Sequence, residues 1–195
     1  MIKSKSISNA IFTNCEDGSI SEILKNFKIK EYSEMHQTHS DKFLIIKQSG
    51  IYKADALITN EKNLPLIVKT ADCMPILVSD DINVSAIHAG WRGLQKKILE
   101  KTLSSFNKPT LKVFIGPHAQ KCCYEVKNDV AFYFKKFIVK REGKIFLNMT
   151  GVVQNYLNTF KIKYEISDDC TICNPDYFSY RENKTPNRQF GIIWI

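Results

Sequence analysis

The sequence contains no long hydrophobic run, few arginines and few histidines. None of its apolar segments approaches the ~18 residues of a membrane-spanning helix, and residues 1–5 are not followed by an apolar core. We therefore expect neither a secretory signal nor a membrane partner. A cytoplasmic location follows from that expectation, and there the six cysteines would stay reduced and serve packing, metal binding or catalysis.

Arginine is scarce although the chain is basic, with a formal net charge of +8. Only four of the 28 basic residues are arginine, and the lysines are scattered without a basic block. Recognition of nucleic acids relies heavily on the bidentate guanidinium group of arginine, so we expect no nucleic-acid partner. Weak attraction for small anionic ligands is the expected consequence of the charge.

The length and the alternation of patterns predict one α/β domain spanning residues 1–195. The hydrophobic fraction of 44% and the charged fraction of 25% are those of a globular protein. Short aliphatic runs alternate with amphipathic segments, without repeats or linkers. This alternation is typical of layered mixed β-sheets flanked by helices.

Hydrophobic periodicity and capping signals predict the individual elements. Ser19 and Glu22 have the spacing of a capping box at the start of a helix, and Asn128 is a candidate cap for a later one. The predicted helices are residues 19–27, 94–106, a segment after Asn128, and 149–160. The predicted strands are residues 43–46, 52–59, 64–68, 76–78, 84–87, 111–115, 164–166 and 191–195.

The segment containing Cys73 and His88 holds most of the reactive side chains. Asp72 and Cys73 lie between two short apolar runs, and His88 ends a third run that continues through Gly90 and Gly93. Strand ends and turns on a rigid scaffold can direct side chains into a cleft. A thiol, an imidazole and a carboxylate in such a place indicate a metal site or a nucleophile site. Cys73 alone or His88 alone would more simply indicate a side chain packed in the core.

The turn from His88 to Gly93 is a candidate anion site. Its glycines let the backbone approach a ligand closely, the following helix offers free N–H groups, and Arg92 adds a guanidinium group. The alternative is an ordinary strand-to-helix turn. On the first interpretation, Arg92, Gly90 and Gly93 bind phosphate.

Cys73 and His88 could ligate zinc together with a third ligand from the segment containing His36 and His39. In an extended chain these two histidines would point to opposite faces, so we expect only one of them in the site. His39 is the better candidate because it lies nearer the following strand. Three protein ligands would leave one position open, as in catalytic zinc sites. This single set predicts one zinc per chain.

The other cysteines carry weaker signals. Cys170 and Cys173 form half of a zinc-ribbon pattern whose second half is missing from the sequence. The adjacent Cys122 and Cys123 are expected to serve packing, and Cys15 receives no role.

Several short segments occur in the order typical of one family. From about residue 35 to the end, the chain resembles the YfiH-type proteins, also named for a laccase or polyphenol oxidase domain. The segments containing Cys73 and His88 are the most specific. The matching segments are Gln37-Thr38-His39, Ala54-Asp55-Ala56, Thr70-Ala71-Asp72-Cys73-Met74-Pro75, His88-Ala89-Gly90-Trp91-Arg92-Gly93, Gly116-Pro117, Cys122-Cys123-Tyr124-Glu125-Val126 and Phe178-Ser179-Tyr180-Arg181.

The resemblance implies a zinc site formed by His39, Cys73 and His88, with copper as the alternative metal. It also implies phosphorolysis of purine nucleosides (adenosine, inosine and methylthioadenosine), with deamination of adenosine beside it. The purine nucleoside and phosphate are then the expected partners. The laccase label conflicts with the composition, because a multicopper centre needs many histidines and the chain has four.

The candidate catalytic and substrate-binding residues form two groups. The catalytic candidates are Cys73, His88, Asp72 and Arg92, in which Asp72 would orient a ligand or transfer protons. The substrate-binding candidates are Arg92, Gly90, Gly93, Asp55 and Glu125.

The chain departs from the family pattern in two places. The region before Gln37 is shorter than usual, and the loop after Gly116-Pro117 carries charged and polar residues where the family has small ones. We expect this loop to alter substrate preference. The substituted positions are His118, Gln120, Lys121 and Lys127.

Two other functions remain open. In the first, Cys73 is the nucleophile and His88 the base of an amide hydrolase that edits cell-wall precursors. In the second, the protein is a non-enzymatic binding module in which zinc is structural.

Overall fold

Two six-stranded mixed sheets form the centre of the computed structural model, which describes all 195 residues. The first sheet contains, in spatial order, β1 (Ile2–Lys3), β2 (Ala10–Phe12), β14 (Gln189–Ile193), β7 (Leu66–Thr70), β3 (Ser33–Met35) and β5 (Gly50–Tyr52). The second contains β13 (Lys163–Ile166), β10 (Lys112–Ile115), β8 (Met74–Ser79), β9 (Val84–Ala89), β6 (Ala56–Thr59) and β4 (Phe43–Ile45). A separate hairpin joins β11 (Ile138–Arg141) and β12 (Lys144–Leu147).

Short helices connect and cover these sheets. They are α1 (Ile20–Asn26), α2 (Trp91–Gln95), α3 (Ile98–Leu103), α4 (Asn128–Ala131), α5 (Met149–Thr159) and α6 (Tyr180–Asn183), with 3₁₀ turns at Lys108–Thr110 and Phe132–Phe137. No helix is both long enough and apolar enough to cross a bilayer.

The alternation of side chains along the strands explains the layers. On β8, Leu77 packs toward the first sheet, whereas Ile76 and Val78 pack toward the helices. On β7, Val68 faces the second sheet and Ile67 faces α1. Strands buried on both faces read as continuous apolar runs, which is why the sequence predicted them. The layers are α1, the first sheet, the second sheet, and a layer with α2, α3 and α5. The predicted layered α/β fold is therefore confirmed.

One predicted helix is broken in the structure. The segment 94–106 was expected to be continuous, but Lys97 adopts a left-handed conformation (φ 65°) and separates α2 from α3. The predicted apolar face is nevertheless buried, from Leu94 to Phe106. Periodicity identifies the buried face, but it does not detect a single residue that reverses the backbone.

Two other boundaries differ from the prediction. The segment 52–59 is divided, because Lys53, Ala54 and Asp55 leave the strand between β5 and β6. Lys127, and not Asn128, occupies the N-cap of α4. The capping box of Ser19 and Glu22 at α1 is present as predicted.

Candidate active site

Three segments that are distant in sequence place His39, Cys73 and His88 side by side. Cys73 immediately precedes β8 and His88 lies near the end of β9; these strands are antiparallel neighbours, with Pro75 opposite His88. His39 lies in the loop between β3 and β4. The antiparallel pairing alone explains how two residues 15 positions apart bring the thiol to the imidazole.

The donor atoms of these three residues fit a zinc ion. They all lie within 4.8 Å of one another, and Cys73 Sγ is 3.7 Å from His39 Nε2. Tetrahedral zinc with its usual bond lengths to sulfur and nitrogen separates two such ligands by about 3.5 Å. Two imidazoles and one thiolate are also a ligand set that zinc prefers.

Asp55 fixes the orientation of His88. Its Oδ1 lies 2.8 Å from His88 Nδ1, which leaves Nε2 free to face the thiol. The carboxylate is fully buried and also accepts hydrogen bonds from the backbone N–H groups of Thr38, His39 and Ser40. A carboxylate behind a ligating histidine is a common arrangement in metal sites. Asp55 therefore supports the site from beneath, and it does not reach the cleft as a substrate-binding residue would.

The electrostatics favour an ionised thiol beside a charged imidazole when no metal is bound. Burial opposes the charged form of Cys73, but attraction to His88 and hydrogen bonding to both histidines lower the pKa of the thiol to about 6. Burial likewise opposes protonation of His88, but Cys73 and Asp55 raise its pKa to about 9. Burial alone would raise the pKa of Asp55, yet hydrogen bonds from His88 and Ser40 hold it well below its usual range. The thiolate that a metal requires is thus available at neutral pH.

Backbone conformation contributes to this close approach. His39 and Asp72 both have positive φ angles, of 58° and 86°, which is uncommon outside glycine and concentrates at functional sites. A side chain at Gly90 would stand 3.0 Å from Cys73 Sγ and 3.1 Å from the His39 ring. Gly90 therefore makes room for the three donors.

Gly93 has a packing role. It is buried, and a side chain there would meet Ile98 and the carbonyl oxygen of Ser40. Neither Gly90 nor Gly93 lines the cleft. Both glycines therefore pack around the site, and their contact with phosphate stays a prediction.

His36 also reaches the cleft. It lines the wall near His39, although it is not part of the three-donor set. Only His39 of the two belongs to the donor set, in agreement with the expectation, whereas His36 reaches the cleft wall because the chain after Met35 leaves the strand and turns at His39.

A cleft of about 670 Å³ opens above the three donors. Three of the four arginines line it: Arg92, Arg181 and Arg188. No arginine in the structure forms an ion pair with a carboxylate. Arg92 is exposed and its guanidinium group stacks 4.4 Å from the ring centre of Trp91. A cleft with unpaired guanidinium groups is suited to anions.

Asp72 lies in the cleft, but both of its carboxylate oxygens are hydrogen-bonded within the protein. Its two carboxylate oxygens accept hydrogen bonds from Thr171 Oγ1 (2.9 Å) and from the backbone N–H of Arg181 (2.6 Å). It therefore positions Arg181, and neither hydrogen bond orients one of the three donors.

Glu125 lies outside the cleft. Its exposed carboxylate is 3.4 Å from Lys144 Nζ, and only its backbone oxygen approaches the site, by accepting a hydrogen bond from Arg181. The carboxylate is thus not placed to contact a substrate in the cleft.

Several residues of the cleft wall were not predicted from the sequence. Arg181, Arg188, Tyr124, Tyr180 and Trp91 all line it. The available signal was the scarcity of arginine, since two of only four arginines stand near the C-terminus in or close to a family motif. In a lysine-rich chain, a retained arginine favours a role that lysine cannot fill.

Four other cysteines also come together. Cys122 and Cys123 lie beside Cys170 and Cys173, with all four sulfur atoms within 4.8 Å of one another. Cys122 and Cys123 therefore supply the missing half of the motif at Cys170 and Cys173. They lie some 50 residues away in sequence, so a local pattern does not reveal them. Cys122 and Cys173 are exposed, so packing does not explain them.

Comparison with known proteins identifies the family. Residues 18–195 match the family described as multi-copper polyphenol oxidoreductase laccase, and the chain belongs to that family. A purine nucleoside phosphorylase of Aquifex aeolicus is 39% identical over 165 residues, which cover 82% of this chain and 80% of that protein. Another from Clostridium acetobutylicum is 32% identical over 201 residues, covering 92% and 84% respectively.

The fold has close counterparts among solved structures. The hypothetical protein YfiH of Bacillus licheniformis superimposes with a TM-score of 0.82 at 23% identity, over 89% of this chain and 78% of that one. The predicted resemblance to YfiH-type proteins is therefore confirmed. The histidines do not assemble into a cluster of the laccase type: His118 is bonded at both ring nitrogens, to Gly116 and Thr150, and His36 stands apart from the donor set.

Proposed function

We propose that this protein is a zinc-dependent purine nucleoside phosphorylase. The proposal rests on one observation: three arginines without ion pairs to carboxylates line the same cleft as the donors His39, Cys73 and His88. Phosphorolysis needs a site for phosphate next to a site for the nucleoside. The cleft volume of about 670 Å³ lies within the range typical of small-molecule sites. The names of the relatives from Aquifex aeolicus and Clostridium acetobutylicum support the same activity.

In the proposed reaction, an oxygen of phosphate attacks C1′ of the ribose. The N-glycosidic bond breaks, its electrons leave with the purine, and the purine takes up a proton. Arg92, Arg181 and Arg188 hold the phosphate and offset the charge that it brings into the cleft. Asp72 contributes by fixing the backbone of Arg181, so the phosphate meets a preorganised group.

His39, Cys73 and His88 would hold the zinc, and Asp55 would keep the Nε2 atom of His88 directed at it. When bound there, zinc supplies Lewis-acid chemistry that makes water a stronger nucleophile near neutral pH. Deamination of adenosine, which consumes water in place of phosphate, is the second activity that we assign to the cleft. Adenosine, inosine and methylthioadenosine are the proposed substrates. Copper is the alternative metal, because imidazole and thiolate suit it as well.

Incubation of the reduced protein with adenosine, with and without phosphate, tests the proposal. With phosphate we expect adenine together with hypoxanthine formed through inosine, and ribose 1-phosphate equal to the sum of the two bases; without phosphate we expect only inosine from deamination. Removal of zinc by a chelator should abolish both activities, and added zinc should restore them. Failure to consume adenosine or inosine in the zinc-loaded protein would contradict the proposal.

The remaining properties follow from this proposal. Residues 1–195 would act as one catalytic domain in the cytoplasm, where the six free thiols remain reduced. Its partners would be small molecules, without nucleic acid or membrane.

A cysteine-dependent amide hydrolase is the second candidate. It is favoured by the lowered pKa of Cys73 and by the order Cys73, His88, Asp55, which resembles a nucleophile, a base and an orienting acid. Such an enzyme would work in the presence of a chelator and would be inactivated by alkylation of Cys73. A nucleoside phosphorylase would show the opposite response to the chelator.

A further inference from the structure

We infer that the four cysteines outside the cleft form a second, structural zinc site. The proposed ligands are Cys122, Cys123, Cys170 and Cys173. This site is independent of the nucleoside chemistry proposed above. It also differs from the single zinc per chain that the sequence predicted.

Strand topology explains why these cysteines meet. β10 and β13 are parallel neighbours, with Ile115 opposite Ile166, so the loops that follow them leave the same edge of the sheet. The first loop carries Cys122 and Cys123, and the second carries Cys170 and Cys173. Backbone hydrogen bonds join the two loops, including the N–H of Thr171 to the oxygen of His118 at 3.2 Å.

The spacing of the sulfur atoms suits a metal. Cys122 Sγ and Cys173 Sγ are 4.0 Å apart, and every pair among the four lies within 4.8 Å. A zinc ion with tetrahedral thiolate ligands at about 2.3 Å separates its sulfur atoms by about 3.8 Å. A disulfide would need the sulfur atoms at about 2.0 Å, and all six cysteines are free thiols.

The ligand set identifies the class of metal. Four thiolates select soft ions such as zinc, and they exclude magnesium and calcium, which require oxygen ligands. Four protein ligands also close the coordination sphere, as in structural zinc sites. The backbone N–H of Gln120 points at Cys170 Sγ from 3.4 Å, and the guanidinium group of Arg141 binds the backbone oxygen of Cys122 at 2.6 Å. Both groups would offset the negative charge of the tetrathiolate centre.

The two loops held by this site also build one wall of the cleft. Tyr124 follows Cys123 directly, and Thr171 follows Cys170 and binds Asp72. Asp72 in turn accepts a hydrogen bond from the backbone N–H of Arg181, whose guanidinium group donates to the backbone oxygen of Glu125. Metal at the cysteine cluster would therefore stabilise both loops of this wall together.

The Cys73→Ala variant tests the inference, because it removes a cleft ligand and leaves the four-cysteine cluster intact. Purified under reducing conditions, it should retain about one zinc per chain. Exchange of that zinc for cobalt should give the visible absorption of a tetrahedral tetrathiolate centre. A folded, reduced Cys73→Ala protein without bound metal would overturn the inference, and so would a cobalt spectrum without thiolate charge-transfer bands.

Substitutions in the cluster provide the complementary measurement. Cys173→Ser should lower the zinc content of the otherwise unchanged protein from about two to about one per chain, whereas Cys15→Ser, outside both sets, should leave it at two. If Cys173→Ser does not fold, the cobalt spectrum of Cys73→Ala still shows whether the four cysteines bind a metal. Equal zinc contents in folded Cys173→Ser and Cys15→Ser would refute the site. A disulfide between Cys122 and Cys173 in protein taken directly from the cytoplasm would refute it as well.

Discussion

At the level of single residues, Arg92 is the cleft arginine whose side chain makes the fewest polar contacts within the protein. Its guanidinium group donates no hydrogen bond and forms no ion pair within the protein, and it stacks on the ring of Trp91. Arg181 and Arg188, in contrast, each donate to backbone oxygens. A free guanidinium group keeps its donors available for an incoming anion. Arg92 is therefore the side chain whose removal should weaken phosphate binding with least effect on the fold.

We expect Arg92→Ala to raise the KM for phosphate by about ten- to a hundredfold, because one charge-assisted contact is worth about 1.5–3 kcal/mol. Zinc content should not change, and adenosine deamination should suffer less than phosphorolysis. Steady-state kinetics of both reactions, with a metal analysis of the same sample, provide the measurement. Lys96→Ala, which removes a neighbouring exposed cation outside the cleft, is the control. Equal losses of both activities in a zinc-loaded protein would place Arg92 on the nucleoside instead.

Asp55 provides a second prediction at this scale. In Asp55→Asn, the side-chain amide can donate to His88 Nδ1, which moves the imidazole proton to Nε2 and removes the lone pair directed at the metal. We expect zinc affinity at the cleft site to fall by about 10–100-fold, measured by competition with a chelator. Asp41→Asn changes a partly exposed acid in the loop that carries His39, where Asp41 is paired with Lys101, and it should have no effect on zinc affinity. Unchanged affinity in folded Asp55→Asn would exclude the orienting role.

At the scale of elements, Lys97 decides the shape of the helical layer. It is exposed and holds a left-handed conformation between α2 and α3. That conformation costs a residue other than glycine about 1–2 kcal/mol. The break directs α3 along the second sheet, where Ile98 and Leu99 are buried.

We expect Lys97→Gly to raise the free energy of unfolding by up to about 1 kcal/mol, since relief of the left-handed conformation exceeds the entropy that glycine adds to the unfolded chain. Lys96→Gly should do the opposite and lower it by about 0.5–1 kcal/mol, because Lys96 has a negative φ angle (−86°). Urea unfolding of the two variants against the wild type measures both effects. The same sign for both would contradict the explanation.

At the scale of the whole molecule, His118 links stability to pH. It is fully buried in the loop that follows β10, where Nδ1 donates to the oxygen of Gly116 at 2.8 Å and Nε2 lies 2.9 Å from Thr150 Oγ1. Burial lowers the pKa of His118 from 6.5 to about 4, and the Gly116 hydrogen bond opposes this only in part. The unfolded chain therefore takes up a proton at a higher pH than the folded protein does.

The neutral, buried His118 makes its full contribution to the free energy of unfolding above pH 6.5, and that contribution is lost as the pH falls toward 4. At about 1.4 kcal/mol per pKa unit, it amounts to about 3 kcal/mol. We expect His118→Asn, which keeps a donor near Gly116 but does not titrate, to show a flatter pH dependence than the wild type over this range. Chemical unfolding of both proteins, prepared with equal zinc content, isolates the effect. Parallel pH profiles would show that His118 is not its source.

The layered fold and the three donors of the central site could be predicted from the amino-acid sequence. Apolar runs on β7, β8 and β9 identified strands buried on both faces, because burial requires apolar side chains whatever their neighbours are. The family segments at His39, Cys73 and His88 identified three side chains that the structure brings into one set. These features are local in the chain, so they can be recognised without knowledge of the tertiary structure.

Which residues share a surface became visible only in the folded protein. It placed Asp55 beneath His88 and directed Glu125 away from the cleft. Arg92 lines one cleft with two arginines from near the C-terminus, Arg181 and Arg188, and the thiols of two parallel-strand loops meet in one cluster. The physical reason is that strand pairing sets distances between residues many positions apart, whereas periodicity and spacing report only on nearby residues.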